Sequence, residues 1–307
     1  MSRTSKYEEL KKILRAMFSN QIARFAPHFY VKITGQTGRG SEEQSVSEIA
    51  KYYYECFEDY LKILEIPHEK REDFLAGKTI LEYGPGDTPG VAFLMLAFGA
   101  ERVICVDEFP LYRRSEQAIA TLSQLLNMLQ EPFRSKGKNC FVKRGDPASG
   151  FLDSRFKYVV GRNCLSDLRN EADLIISRSV LEHVSDLEII FKDMQEALRP
   201  NGLSVHKVDL RSHGLHEDNP LDFLAWPQWI WSLMYGNKGF INRRRIDCYR
   251  KILGEQCWSI KLIQPTTWAD SSDVKEIRNF LVEPYSELSD KDLSCLGFWL
   301  VCTHEER

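Results

Sequence analysis

The chain has 307 residues, room for one large domain or two, and its 43% apolar and 28% charged residues are ordinary for a globular enzyme. A net charge of −3 supplies no electrostatic reason for a phosphate-backbone partner, so nucleic acid is not an expected substrate. The longest apolar stretch, 90–99, is about half of a membrane span, and the charged first fourteen residues are unlike a signal peptide, so no membrane partner is expected either.

In chain order, Tyr7, Leu10, Leu14 and Met17 stand at helical spacing and predict a helix over 6–18. A glycine-containing polar stretch, 33–41, reads as a loop. A second amphipathic helix is predicted over about 47–64, with Ile49, Tyr53, Phe57, Tyr60, Leu61 and Leu64 on one side. Residues 1–76 therefore read as a helical extension or cap, and 77–307 as the main domain. From Lys78 short apolar strands alternate with helices, with strands predicted at 79–83, 102–107, 157–160, 172–177 and 202–209. Helices are expected at about 89–98, 112–129 and 186–198, and the alternation argues for βαβ units and a parallel sheet. Asp87-Thr88-Pro89 offers cap candidates for the first of these helices, and Ser185-Asp186-Leu187-Glu188 reads as a capping box for the last. Beyond them an aromatic insertion at about 214–242 carries Phe223, Trp226, Trp229, Trp231 and Tyr235 and reads first as a core-packing helix, or else as a lid. A helix over 243–253, a strand at 258–263, a helical segment over 272–281 and a last strand at 295–302 complete the chain. The eight cysteines form no C-x-x-C pair, and several lie inside apolar runs, which reads as a reduced, cytoplasmic protein.

The strongest motif is Glu82-Tyr83-Gly84-Pro85-Gly86, where a strand passes through a glycine turn into a helix. Glycines at 84 and 86 let the backbone approach a ligand, and the helix start offers unpaired amides to its oxygens. Asp107 ends the next strand, where an acid can accept hydrogen bonds from both hydroxyls of a ribose. Glycines at 84, 86 and 90 space as G-x-G-x-x-x-G, unlike the dinucleotide G-x-G-x-x-G, and Glu82 suits an ammonium group better than a pyrophosphate. An NAD-dependent oxidoreductase is thus the weaker alternative.

With Leu81-Glu82-Tyr83-Gly84-Pro85-Gly86, the sequence adds Val106-Asp107-Glu108, then Asp173 through Val184, then Leu198-Arg199-Pro200-Asn201-Gly202. Together they resemble the class I S-adenosylmethionine-dependent methyltransferases, of the bacterial small-molecule type, over about residues 78–303. The resemblance implies an α/β fold with a Rossmann-like, seven-stranded, mostly parallel sheet and a reversed last strand. It implies S-adenosylmethionine as cofactor, S-adenosylhomocysteine as product, and a sugar or specialised metabolite methylated on oxygen or nitrogen. By position, Glu82, Gly84, Pro85 and Gly86 line the methionine part, and Asp107 and Glu108 hold the ribose. Asn163 and Cys164 border the adenine, while Ser177 and Arg178 stand next to the transferred methyl. A non-catalytic cofactor-binding partner of another subunit is a further alternative.

Four residues are candidates for acceptor chemistry: His183 after the fourth strand, and His206, Asp209 and His213 at the fifth strand and its exit. An Asp–His pairing or polar contacts to the substrate are expected there. A strand turning into a loop fixes no ligand geometry, so no metal site is expected from His206, Asp209 and His213. Arg243-Arg244-Arg245 reads as a solvated face, or as a grip on a substrate anion. The oligomeric state is left open by the sequence.

Overall fold

The computed structural model describes residues 3–26, 29–30, 33, 45–161, 165–213, 218–238 and 240–304. Two compact units arise from interleaved segments, the first from residues 1–35, 179–191 and 206–301, the second from 36–178, 192–205 and 302–307. Nine strands among the described residues, numbered β1 to β9 in chain order, form a two-stranded hairpin, β3–β4, and a seven-stranded sheet in the order β5-β2-β1-β6-β7-β9-β8.

In the second unit, β1 (Thr79–Tyr83) lies between β2 (Arg102–Asp107) and β6 (Ala172–Arg178), parallel to both, and β5 (Phe156–Val160) runs parallel to the far side of β2. All five residues of β1 are buried, as a strand covered on both faces requires. The helix Val46–Ile63 starts at a capping box: Ser45 Oγ accepts from the Glu48 amide, and the Glu48 carboxylate accepts from the Ser45 amide at 2.8 Å. Its buried face is Ile49, Tyr53, Phe57, Tyr60 and Leu61, the periodic positions of the sequence. The helix Gly90–Ala97 is buried at all eight positions, so nothing in it is amphipathic. Its expected caps make no side-chain cap bond, because Pro89 itself occupies the cap position.

Short elements not anticipated by the sequence include the helices Arg71–Leu75, Phe133–Lys138 and Asp290–Ser294, and the hairpin of β3 (Phe141–Lys143) with β4 (Asp146–Phe151). The helix expected from 112 starts only at Glu116, since the Ser115 side chain caps the Ala118 amide there. Likewise Asp186, not Ser185, caps the helix Leu187–Ala197, accepting from the Ile189 amide at 3.0 Å.

In the first unit the helix Arg3–Phe25 is longer than its periodic core and joins the hydrophobic cluster of Leu221, Phe223, Leu224, Trp231, Met234 and Ile241 through Ile13, Ala16 and Met17. Asn20 ties it to the helix Gln228–Tyr235, donating to the carbonyls of Ser232 and Leu233 and accepting from the Asn237 amide at 2.8 Å. The aromatic stretch is therefore largely core, though Trp229 is 66% exposed. The helix Ile246–Glu255, β8 (Trp258–Trp268) and the helix Ser271–Ile277 follow.

β7 (Leu198–Asp209) begins four residues before the expected position and carries Asn201 at φ 62°, the left-handed conformation that asparagine tolerates. β9 (Cys295–His304) is the reversed last strand: Thr303 Oγ1 bonds the Gly202 carbonyl near the start of β7, whereas the Leu210 amide bonds the Leu296 carbonyl past its end. Five of the seven described cysteines are buried, as small apolar fillers would be. Among the described residues no helix is long and apolar enough to cross a membrane.

Candidate functional site

The second unit builds a cradle where β1 and β2 end. Gly84 and Gly86 take φ of 76° and 72°, a conformation costly for any residue with a Cβ, so glycine at these positions is a backbone requirement. The Gly84 amide bonds the Val106 carbonyl at 2.8 Å, which ties the turn to the neighbouring strand. Pro85 is buried between the two glycines. Asp107 is buried at the end of β2; its Oδ1 accepts from the Phe109 amide at 3.0 Å, and the Gly86 amide also faces the carboxylate. Burial pushes its pKa up to about 7, outweighing those amides. Glu82 is buried as well, between the Cys105 thiol at 3.7 Å and the Ala92 amide in the first turn of the helix Gly90–Ala97, and burial likewise raises it to about 7. Two acids poised this way accept a ligand able to stabilise their ionised forms.

The other residues expected at the cofactor are less uniform. Glu108 is half-buried beside Asp107. Ser177 is buried on β6 opposite Tyr83, next to the β1 turn. Arg178, in contrast, is turned to the helix Val46–Ile63, where it pairs with Asp59 at 2.9 Å. Asn163 and Cys164 lie outside the described residues.

The first unit brings three of the four acceptor-side candidates together. His183 and His213 stand edge to face, ring centroids 5.2 Å apart at 84°. Asp209 Oδ2 lies 3.7 Å from His213 Nε2. The Arg211 guanidinium binds both oxygens of Asp209, at 2.9 and 3.0 Å from Nε, and its amide binds Oδ1 at 3.0 Å. Burial opposes ionisation of Asp209, but these bonds outweigh it and hold its pKa below the ordinary value. Burial lowers the pKa of His213, partly offset by Asp209.

His206 does not join them. It is fully buried, edge-on to Phe191, and burial drives its pKa down to about 3, so this imidazole stays neutral as part of the core. Its place on the fifth strand close to the exit made it a candidate, and position along a strand does not distinguish an inward face from a ligand-facing one.

Sequence reasoning passed over two members of the cluster, Arg211 and Glu182. Glu182 is 1% exposed, and neither carboxylate oxygen has a hydrogen-bond partner among the described residues. Burial raises its pKa well above the ordinary value, although the amides of Glu182 and Asp209 face it and offset part of the shift without reaching hydrogen-bond geometry. A carboxylate inside Val180-Leu181-Glu182-His183-Val184 was the available signal, because such a run seldom buries an acid without a task. The arginine run divides: Arg244 is exposed, as a solvated face would be, whereas Arg243 and Arg245 are buried and given to main-chain carbonyls. Arg245 donates to the carbonyls of Leu210, Leu293 and Cys295, and Arg243 to those of Phe223 and Trp226 while lying over the Trp231 and Tyr285 rings.

A family model described as a methyltransferase domain matches residues 50–251, well over half of the chain. The chain belongs to the class I S-adenosylmethionine-dependent methyltransferases. No curated protein matches the methyltransferase. Among solved structures it is similar to an S-adenosylmethionine-dependent methyltransferase from Mesorhizobium loti, at 16% identity and a TM-score of 0.39, covering 74% of this chain and 91% of the other. It is also similar to the Haemonchus contortus phosphoethanolamine N-methyltransferase 2, in complex with S-adenosyl-L-methionine, at 13% identity and a TM-score of 0.44, covering 85% and 58%. Membership in the family removes the oxidoreductase alternative and makes S-adenosylmethionine the methyl donor.

Proposed function

We propose that the enzyme methylates an oxygen or nitrogen of a small molecule, a sugar or specialised metabolite, in the cytoplasm. The observation that carries the donor side is the pair of buried carboxylates, Glu82 and Asp107, flanking two left-handed glycines. These residues fit S-adenosylmethionine. Its ammonium group supplies a positive charge for Glu82, and its ribose hydroxyls supply donors to Asp107. Gly84, Pro85 and Gly86 leave room for the methionine part, with Glu108 beside the ribose and Ser177 near the sulfonium end. When bound, the cofactor supplies an activated methyl on a sulfonium. The chain's task is then to orient the acceptor and exclude water.

On the acceptor side, His183, Asp209 and His213 orient the nucleophilic atom and favour its deprotonated form, with Arg211 holding the Asp209 carboxylate in place. His206 has no part in this reading. A small acceptor agrees with the net charge of −3, and Arg243 and Arg245 are consumed by carbonyls and not offered to an anion.

Calorimetry with S-adenosylhomocysteine tests the donor side. One equivalent is expected to bind per chain, with Asp107→Ala weakening it by at least about tenfold. Binding unchanged in both Asp107→Ala and Glu82→Gln would remove the assignment. For the acceptor side, methyl transfer is followed over a panel of sugars, phenols and amines. Unchanged turnover of a found substrate in Asp209→Ala and His213→Ala would show that the cluster is not the acceptor site.

A further inference from the structure

Glu182, His183 and His213 each offer one ligand-type atom, and these atoms lie within 4.8 Å of one another. Their chemistry is two imidazoles and one carboxylate, a donor set suited to borderline divalent ions and not to magnesium or calcium, which prefer all-oxygen shells. With bonds of about 2.1 Å, ligand atoms around a tetrahedral ion stand about 3.4 Å apart, so the cluster must close by roughly an ångström. His183 and His213 have room for it, at 28% and 34% side-chain exposure.

A second observation points to a ligand independently. The Glu182 carboxylate is buried, has no hydrogen-bond partner among the described residues, and directs Oε1 to within 3.9 Å of His183 Nε2. Leaving a carboxylate in that state is costly unless a cation or a donor completes it. The Arg211 guanidinium acts on Glu182 only through space, its hydrogen bonds being given to Asp209. Asp209 in turn stands beside the His213 ring, the position of the carboxylate that commonly orients a metal-bound histidine.

We propose that Glu182, His183 and His213 form a binding site for a divalent transition-metal cation, zinc being the ion that best suits the donor set. Three protein ligands leave at least one coordination position for water or for an oxygen of a further ligand. The site shares His213 alone with the set His206, Asp209 and His213 considered from the sequence: His206 belongs to the core, and Asp209 is an outer partner.

The test uses the full chain after chelator treatment, titrated with zinc chloride by calorimetry and with cobalt chloride by visible absorption. One equivalent per chain is expected, with cobalt bands of a nitrogen–oxygen shell and no thiolate charge-transfer band. His213→Ala and His183→Ala are each expected to weaken zinc by at least about tenfold, with circular dichroism unchanged. His213 is the most exposed of the three, so its variant keeps the test valid if Glu182→Gln fails to fold. No zinc binding, equal binding in both histidine variants, or a thiolate band that marks capture by cysteine would each overturn the proposal. None of these readouts requires methyl transfer, so failure of the metal site and failure of the acceptor assignment are told apart.

Discussion

Glu82 and Asp107 show how a binding site is kept at the expense of stability. Both are raised to about 7 by burial, from 4.5 and 3.8, so the folded chain holds protons there that the unfolded chain has released. A raised acid favours folding below its unfolded value, and that contribution is lost as pH rises through about 7. Melting temperature of the ligand-free enzyme is therefore expected to fall between about pH 4 and 7.5 on account of these two groups. In Glu82→Gln that decline should flatten, with a gain on the order of 2 kcal/mol at pH 8 after allowing for relaxation, seen in thermal melts. The same variant should bind S-adenosylhomocysteine more weakly, and in the parent chain affinity should rise with pH up to about 7 as the acids ionise. Arg245 makes the opposite case, a buried charge that serves structure. It satisfies three main-chain carbonyls, and Arg245→Ala leaves them without donors, an expected loss of about 3 kcal/mol in denaturant unfolding. Residue type alone could not separate these roles. Glu82 and Asp107 were legible because a glycine turn and a strand end fixed their places, whereas three successive arginines look the same whether they face water or carbonyls.

The elements around the donor cradle are held by close packing, and Gly90 is the tightest point. A Cβ added there would stand 2.4 Å from Tyr53 Cγ, so the first turn of the helix Gly90–Ala97 touches the ring face of the helix Val46–Ile63. Gly90→Ala is expected to cost about 2–3 kcal/mol. Combination with Tyr53→Ala should recover part of that loss, and a double-mutant cycle in urea measures the coupling. The third glycine of the motif therefore serves helix packing, while Gly84 and Gly86 serve the turn. Strands β1 and β2 were legible to the residue, since Gly84 and Asp107 punctuate them. The hairpin β3–β4 was not. Its first strand has three residues, too few for a period, and the two-residue turn at Arg144-Gly145, with Gly145 at φ 77°, was its only signal. The acceptor-side cluster was half legible: strand ends located His183, Asp209 and His213, but burial, which removes His206 and adds Glu182, is a tertiary property that alternation does not carry.

At the scale of the molecule, the helix Arg3–Phe25 belongs with chain more than two hundred residues away, as the Asn20 bonds to Ser232 and Leu233 show. Asn20→Ala, which leaves three main-chain groups to find other partners, is expected to cost about 1–2 kcal/mol in thermal or urea unfolding. The interleaving of the two units reaches further, into the order in which the protein can be made. The chain passes from one unit to the other at 35/36, 178/179, 191/192, 205/206 and 301/302. A ribosome delivering this chain from its amino terminus completes neither unit until the last strand emerges. The first helix waits unpaired through most of translation, with Phe18 and Phe25 already apolar and exposed in the finished fold. Nascent chains stalled before residue 295 should therefore stay protease-sensitive throughout, where a protein of two sequential domains would already protect its first half.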